Sequence, residues 1–208
     1  MSDSDRPGDP GDTPTGTTDP TADVPTLEDE YLQTISRRLV HNYDLEQDYR
    51  VRGESFALYG HMELHSQKHV LHSALSIAHH EAHEHVFLQR SKTLSQRAID
   101  DAIELGHDLA EAWIDPNEEH YSTEFIFGFV VPEIPTDLAS TVRDIDERTL
   151  LKFGYNGHYD IGIVLVAPET KQIVASESVD IVDALRTWEP IEQNNTGWLG
   201  RLARRLRP

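Results

Sequence analysis

The chain has 208 residues, 38% of them apolar, which bounds it to one ordinary domain with a modest core and some tail. Its 37 acids against 18 lysines and arginines leave a net charge of −19, which excludes the basic footprint that general nucleic-acid binding needs. There is no cysteine, no apolar run long enough to cross a membrane, and no basic start with an apolar stretch to act as a secretory signal, so disulfides and thiolate ligands are excluded and a cytoplasmic protein is expected.

Residues 1–25 are Asp, Pro, Gly, Thr and Ser almost throughout. They bury too little apolar surface to offset ordering and are expected to form a disordered acidic tail. A folded domain is expected over 26–190. Thr26 opens a helix with Asp29 three residues on, resembling a capping box. Leu27, Tyr31, Leu32, Ile35 and Leu39 then recur at helical spacing to an end near 43–46. In "ESFALYGHMELH", 54–65, Phe56, Leu58, Met62 and Leu64 alternate with Tyr59, His61, Glu63 and His65, the period of a half-buried strand. "EHVFLQR", 84–90, reads as a second strand.

Thr93 to Gln96 fits another capping box. Leu94, Ala98, Ala102, Leu105, Leu109 and Trp113 make one helical stripe that Asp115-Pro116 ends. "STEFIFGFVV", 122–131, is apolar on both faces, as a central strand is. A short helix is expected over about 136–147. "TLLKFGY", "HYDIGIVLVA" and "KQIVAS" read as three more strands, with Asn156-Gly157 as a tight turn between the first two. A last helix is expected over 179–188. Helices and strands do not alternate strictly. The order therefore predicts a single α+β domain, a mostly antiparallel mixed sheet of about six strands packed against helices on one face.

Eight of the twelve histidines fall within 61–85. As a helix, positions 65, 69, 72, 79 and 83 share a stripe. As strands, His61, Glu63 and His65 project from one side, and His79, Glu81, His83 and His85 share a parity. Clean alternation and Gly60 favour strands, and a hairpin of the two would gather both sets on one sheet face. Neutral imidazoles with a carboxylate suit zinc, iron or nickel, and an open position on the ion would activate water. The candidate ligands of such a divalent transition metal are His61, Glu63, His65, His83 and His85. The spacing contains no "HExxH". The plainer alternative is a hydrated, histidine-rich outer face. His158 and Asp160 share a parity and read as hairpin residues or as additions to a site at a strand end.

Residues 191–208 read as a linker and a basic amphipathic segment. In "GWLGRLARRLRP", Trp198, Leu199, Leu202 and Leu206 approximate one helical face, with Arg201, Arg204, Arg205 and Arg207 around the rest. Such a segment suits a protein partner, an anionic membrane surface that would hold the protein peripherally, or its own acidic domain.

The runs "FALYGHMELHSQKHV" and "EHVFLQR", the long helix, "EFIFGFVV" and "HYDIGIVLVAPETKQIVAS" resemble, over about residues 28–178, an uncharacterised prokaryotic domain-of-unknown-function family with acidic haloarchaeal members. The resemblance implies the mixed α+β reading and strand character around 54–90, and transfers no functional residue. Abundant acids with only four lysines also fit a salt-in halophile, because molar salt shortens the Debye length to about 3 Å and screens self-repulsion. The leading expectation is a non-enzymatic binding or interaction module. The alternatives are a metal-dependent enzyme, most simply a hydrolase, and a small-ligand or pH-sensing domain built on the same histidines.

Overall fold

The computed structural model describes residues 24–67 and 79–190. In chain order these form α1 (Glu30–Leu39), β1 (Asp44–Val51), β2 (Glu54–Gln67), β3 (His79–Arg90), α2 (Gln96–Trp113), β4 (His120–Val130), α3 (Thr136–Arg143), β5 (Glu147–Leu150), β6 (His158–Ala167), β7 (Gln172–Ala175) and α4 (Val182–Leu185). The strands make one mixed sheet in the order β1-β2-β3-β4-β6-β5, with β7 also on β6. β1-β2, β2-β3, β5-β6 and β6-β7 are antiparallel. β3-β4 and β4-β6 are parallel, which requires crossovers such as the one α2 supplies between β3 and β4.

The α+β class and the mixed, mostly antiparallel sheet are as expected. The helices, however, divide between the two faces instead of covering one. On one face α2 and α3 lay Ile99, Leu105, Leu109, Leu138 and Val142 against Phe87, Phe125, Phe127, Ile161 and Ile163. On the other, α1 and α4 lay Leu32, Ile35, Leu39 and Leu185 against Leu58, Val86, Leu88, Ile126 and Val164. The cause is in the central strands: β4 and β6 are apolar at both parities, so each face must be covered. Phe87, Phe125, Phe127 and Phe129 are fully buried, each contributing roughly 1.5–3 kcal/mol by leaving water.

Local signals set the element ends. The carboxylate of Asp29, and not Thr26, caps α1 by accepting from the Leu32 N–H, and it also pairs with Arg90 at the end of β3. Burial alone would raise that carboxyl; Arg90 and the backbone N–H groups outweigh it and hold it below the usual range. α2 begins after Ser95, whose hydroxyl accepts from the Ala98 N–H. The stretch expected to finish the first helix is instead β1, an edge strand whose mostly exposed residues carry little alternation. Phe56 departs from its parity and packs with Tyr59, opposite the stretch of β1 where Asp48 takes φ 52°. The segment 149–155 is strand only to Leu150; Lys152 and Phe153 then adopt left-handed backbone. Gly157 closes that loop at φ 73°, where a Cβ would lie 2.0 Å from the Tyr121 carbonyl oxygen. The expected tail, 1–25 apart from its last two residues, and the segment 191–208 lie outside the described residues.

Candidate functional site

Pairing of β2 with β3 places His61 opposite His85, Glu63 opposite His83, and His65 opposite Glu81. Alternation sends His61, Glu63, Glu81, His83 and His85 to the α2 face, and the parallel β3-β4 register adds Thr123 beside His83 and Phe125 beside His85. The expected hairpin therefore forms and gathers the imidazoles. The His61 and His85 rings lie 4.6 Å apart at 7°, and those of His61 and His83 5.6 Å apart at 10°. His61 Nε2 and His83 Nδ1 share a 3.4 Å hydrogen bond. His85 Nδ1 shares one of 2.8 Å with the Tyr59 hydroxyl, and its ring stacks on Phe125, 5.1 Å away, and meets Trp113 at 5.0 Å and 60°. The side chain of His65 lies outside the described residues, as do positions 69 and 72.

Burial sets the protonation of this stack. It pulls His85 down to about 3, with any charge on His61 or His83 adding to the effect. It also lowers His83, against the opposing pull of Glu63. The Tyr59 hydroxyl is raised by burial, then by Tyr49 and Glu46.

The stack floors a pocket of about 570 Å³ at the sheet end where α2 stops. Asp44, Glu46 and Tyr49 come from β1, Glu81 from β3, Trp113, Ile114, Asp115 and Asn117 from the end of α2 and the loop beyond, and His120 and Thr123 from β4. Tyr49 and Tyr59 stack with centroids 4.1 Å apart. His120 is fixed at both ring nitrogens: Nδ1 meets the Asn156 carbonyl at 2.8 Å and Nε2 the Thr123 hydroxyl at 2.9 Å. With a carbonyl as partner, Nδ1 carries the proton, so Nε2 accepts from Thr123. His120 thus braces the pocket wall and has no lone pair free for an ion.

Of the five sequence-derived metal ligands, the structure places Glu63 and His83 in a group with ligand geometry. Among the described residues, ligand atoms of Glu63, Glu81 and His83 all lie within 4.8 Å of one another. His61 and His85 stand beside this group, not in it. His85 Nδ1 is engaged by the Tyr59 hydroxyl, and His61 Nε2 by His83 Nδ1. Sequence reasoning missed Glu81, whose parity with His83 was a usable signal, and His120, Trp113, Tyr49 and Asp115, which tertiary packing alone brings in. His158 and Asp160 pair with each other at 3.3 Å, and Asp160 also with Arg148, on the opposite face, outside the pocket.

Together these features define a helix-backed mixed-sheet domain with an aromatic and imidazole-floored pocket at one end. The chain belongs to a domain-of-unknown-function family, DUF8052, which matches residues 28–187. No curated protein and no solved structure matches the chain. No helix among the described residues is long and apolar enough to cross a membrane.

Proposed function

We propose that this is a small-ligand-binding module whose site is the pocket between β1–β4 and the end of α2. What carries the reading is convergence: residues from four strands and one helix terminus surround a cavity of about 570 Å³, within the range of roughly 300–1,000 Å³ usual for small-molecule sites. The floor is preorganised by ring stacking and by the Tyr59–His85 and His120–Thr123 hydrogen bonds. The test is a fragment screen by ligand-observed NMR. Fragments that bind should quench Trp113 and lose affinity in Ile114→Trp, which fills the cavity from its rim; circular dichroism checks that the variant is folded. A screen in which no fragment perturbs Trp113 contradicts the reading.

A second reading is favoured by the Glu63, Glu81 and His83 group: a divalent zinc, iron or nickel ion, and with it the hydrolase alternative. Calorimetric titration with zinc, weakened tenfold or more in Glu81→Gln, supports it; unchanged affinity in that variant removes it. The pH-sensing alternative is weaker, because His85, held at about 3, does not change charge between pH 5 and 8.

The net charge of −19 supports salt adaptation and a haloarchaeal type of cytoplasm. The expected result is unfolding below about 0.5 M salt, and full stability in dilute buffer overturns it. A partner-binding or peripheral membrane role for Trp198, Leu199, Arg201, Leu202, Arg204, Arg205 and Leu206 is carried by their amphipathic pattern. Deletion of 197–208 should then change co-purifying proteins or membrane association.

A further inference from the structure

We propose that the pocket takes an organic cation: an ammonium or guanidinium group carried on a flat, apolar body of small-molecule size. The inference rests on the pocket reading above and names the ligand class for it. Four carboxylates line the cavity, Asp44, Glu46, Glu81 and Asp115, and among the described residues neither lysine nor arginine does. Asp44, Glu46 and Asp115 are exposed and Glu81 is half-buried, whereas Tyr59 and His85 are buried. Acids therefore ring the mouth, and rings make the floor.

A second source of negative potential is independent of these side chains. The C-terminal end of the 18-residue α2 abuts the pocket, which Trp113 and Ile114 line, and no basic residue occupies the last turn. The partial negative charge of a helix C-terminus favours cations, and here nothing on the helix offsets it. The third element is aromatic. Tyr49 is half-buried and Trp113 is 38% exposed, so both present ring surface to the cavity. Ring faces attract ammonium and guanidinium groups, and tryptophan and tyrosine do so more strongly than phenylalanine. An anion of the same shape meets the four carboxylates and the helix end with repulsion, and a neutral one gains the floor alone.

The test uses three probes of one shape and three charges: benzylamine, benzyl alcohol and benzoate. Each is titrated calorimetrically into the full chain in molar potassium chloride. At that ionic strength long-range attraction to the protein's net charge is screened, and local contacts decide. Benzylamine is expected to bind about tenfold or more tightly than benzyl alcohol, and benzoate more weakly than either. Asp115→Asn and Glu81→Gln should each lower benzylamine affinity several-fold and leave benzyl alcohol unchanged. Glu133→Gln, an exposed acid beyond the other end of β4, should change neither. If benzyl alcohol or benzoate binds as tightly as benzylamine, the cation class is overturned and the pocket reading stands. If none of the three binds, both fall.

Discussion

The two faces of the β3-β4 pair carry similar polar content and treat it in opposite ways. Toward α2, His83 and His85 stand in a stack whose outer side opens into a cavity. Toward α1, Glu84 lies beside Glu124, and Glu124 beside Asp160, all at most 4% exposed. There the Tyr43 hydroxyl donates to Glu84 at 2.5 Å, and Arg148 holds Asp160 with two hydrogen bonds of 2.7 and 3.0 Å. Burial would push the Asp160 carboxyl up, but His158 and Arg148 outweigh it and hold it below the usual carboxylate range. One face holds the Asp160 carboxylate between Arg148 and His158 and gives Glu84 a tyrosine donor; the other keeps buried bases uncharged beside open space. The proposed site is therefore distinguished by what its polar residues leave accessible, not by their number.

The largest expected effect that would break this contrast is acid sensitivity from the imidazole face. His85 falls from 6.5 unfolded to about 3 folded, so the unfolded chain takes the proton first as pH drops. Its contribution is nil above pH 6.5, and stability then declines by up to about 1.4 kcal/mol per pH unit until about pH 3. Denaturant unfolding at fixed salt should show a shallower acid slope in His85→Phe than in the parent; equal slopes would mean that the ring is not buried neutral. Next in size is Arg148→Ala. It strips a buried carboxylate of its main partner and should cost roughly 3 kcal/mol, the low end for a broken buried pair because the Arg148 side chain is 48% exposed. A loss near zero would show the carboxylate face to be wet. The smallest is Tyr59→Phe, which removes one hydrogen bond to His85 and should cost about 1 kcal/mol while weakening pocket ligands. A larger loss there than in Arg148→Ala would reverse the ranking of the two faces.

Elements with one clean period were legible in the sequence. β6 occupies the same ten residues as its apolar run, and α2 ends where Asp115-Pro116 stops it. The imidazole face was legible for the same reason: parity in β2 and β3 survives their pairing. β1 was not legible, because an exposed edge strand buries too few side chains to imprint alternation. Nor was the second helical layer. Leu58, Val86 and Ile126 needed covering, but nothing local said that α1 and α4 would do it. The cluster of Glu63, Glu81 and His83 was legible only in part. Parity brought Glu63 and His83 together, while side-chain placement, which no spacing encodes, left His61 and His85 beside the group. Trp113 read as part of the stripe of α2; at 38% exposure it is instead a wall of the pocket.

The most direct measurement is a residue-resolved NMR titration with benzylamine in molar salt. It follows the Trp113 indole and the ring signals of His61, His83 and His85 together with Trp188 and His158 on the opposite face. The first four should move in one saturable transition while the last two stay still. Shifts scattered over the acidic surface, or centred on Trp188 and His158, would contradict the assignment of the site.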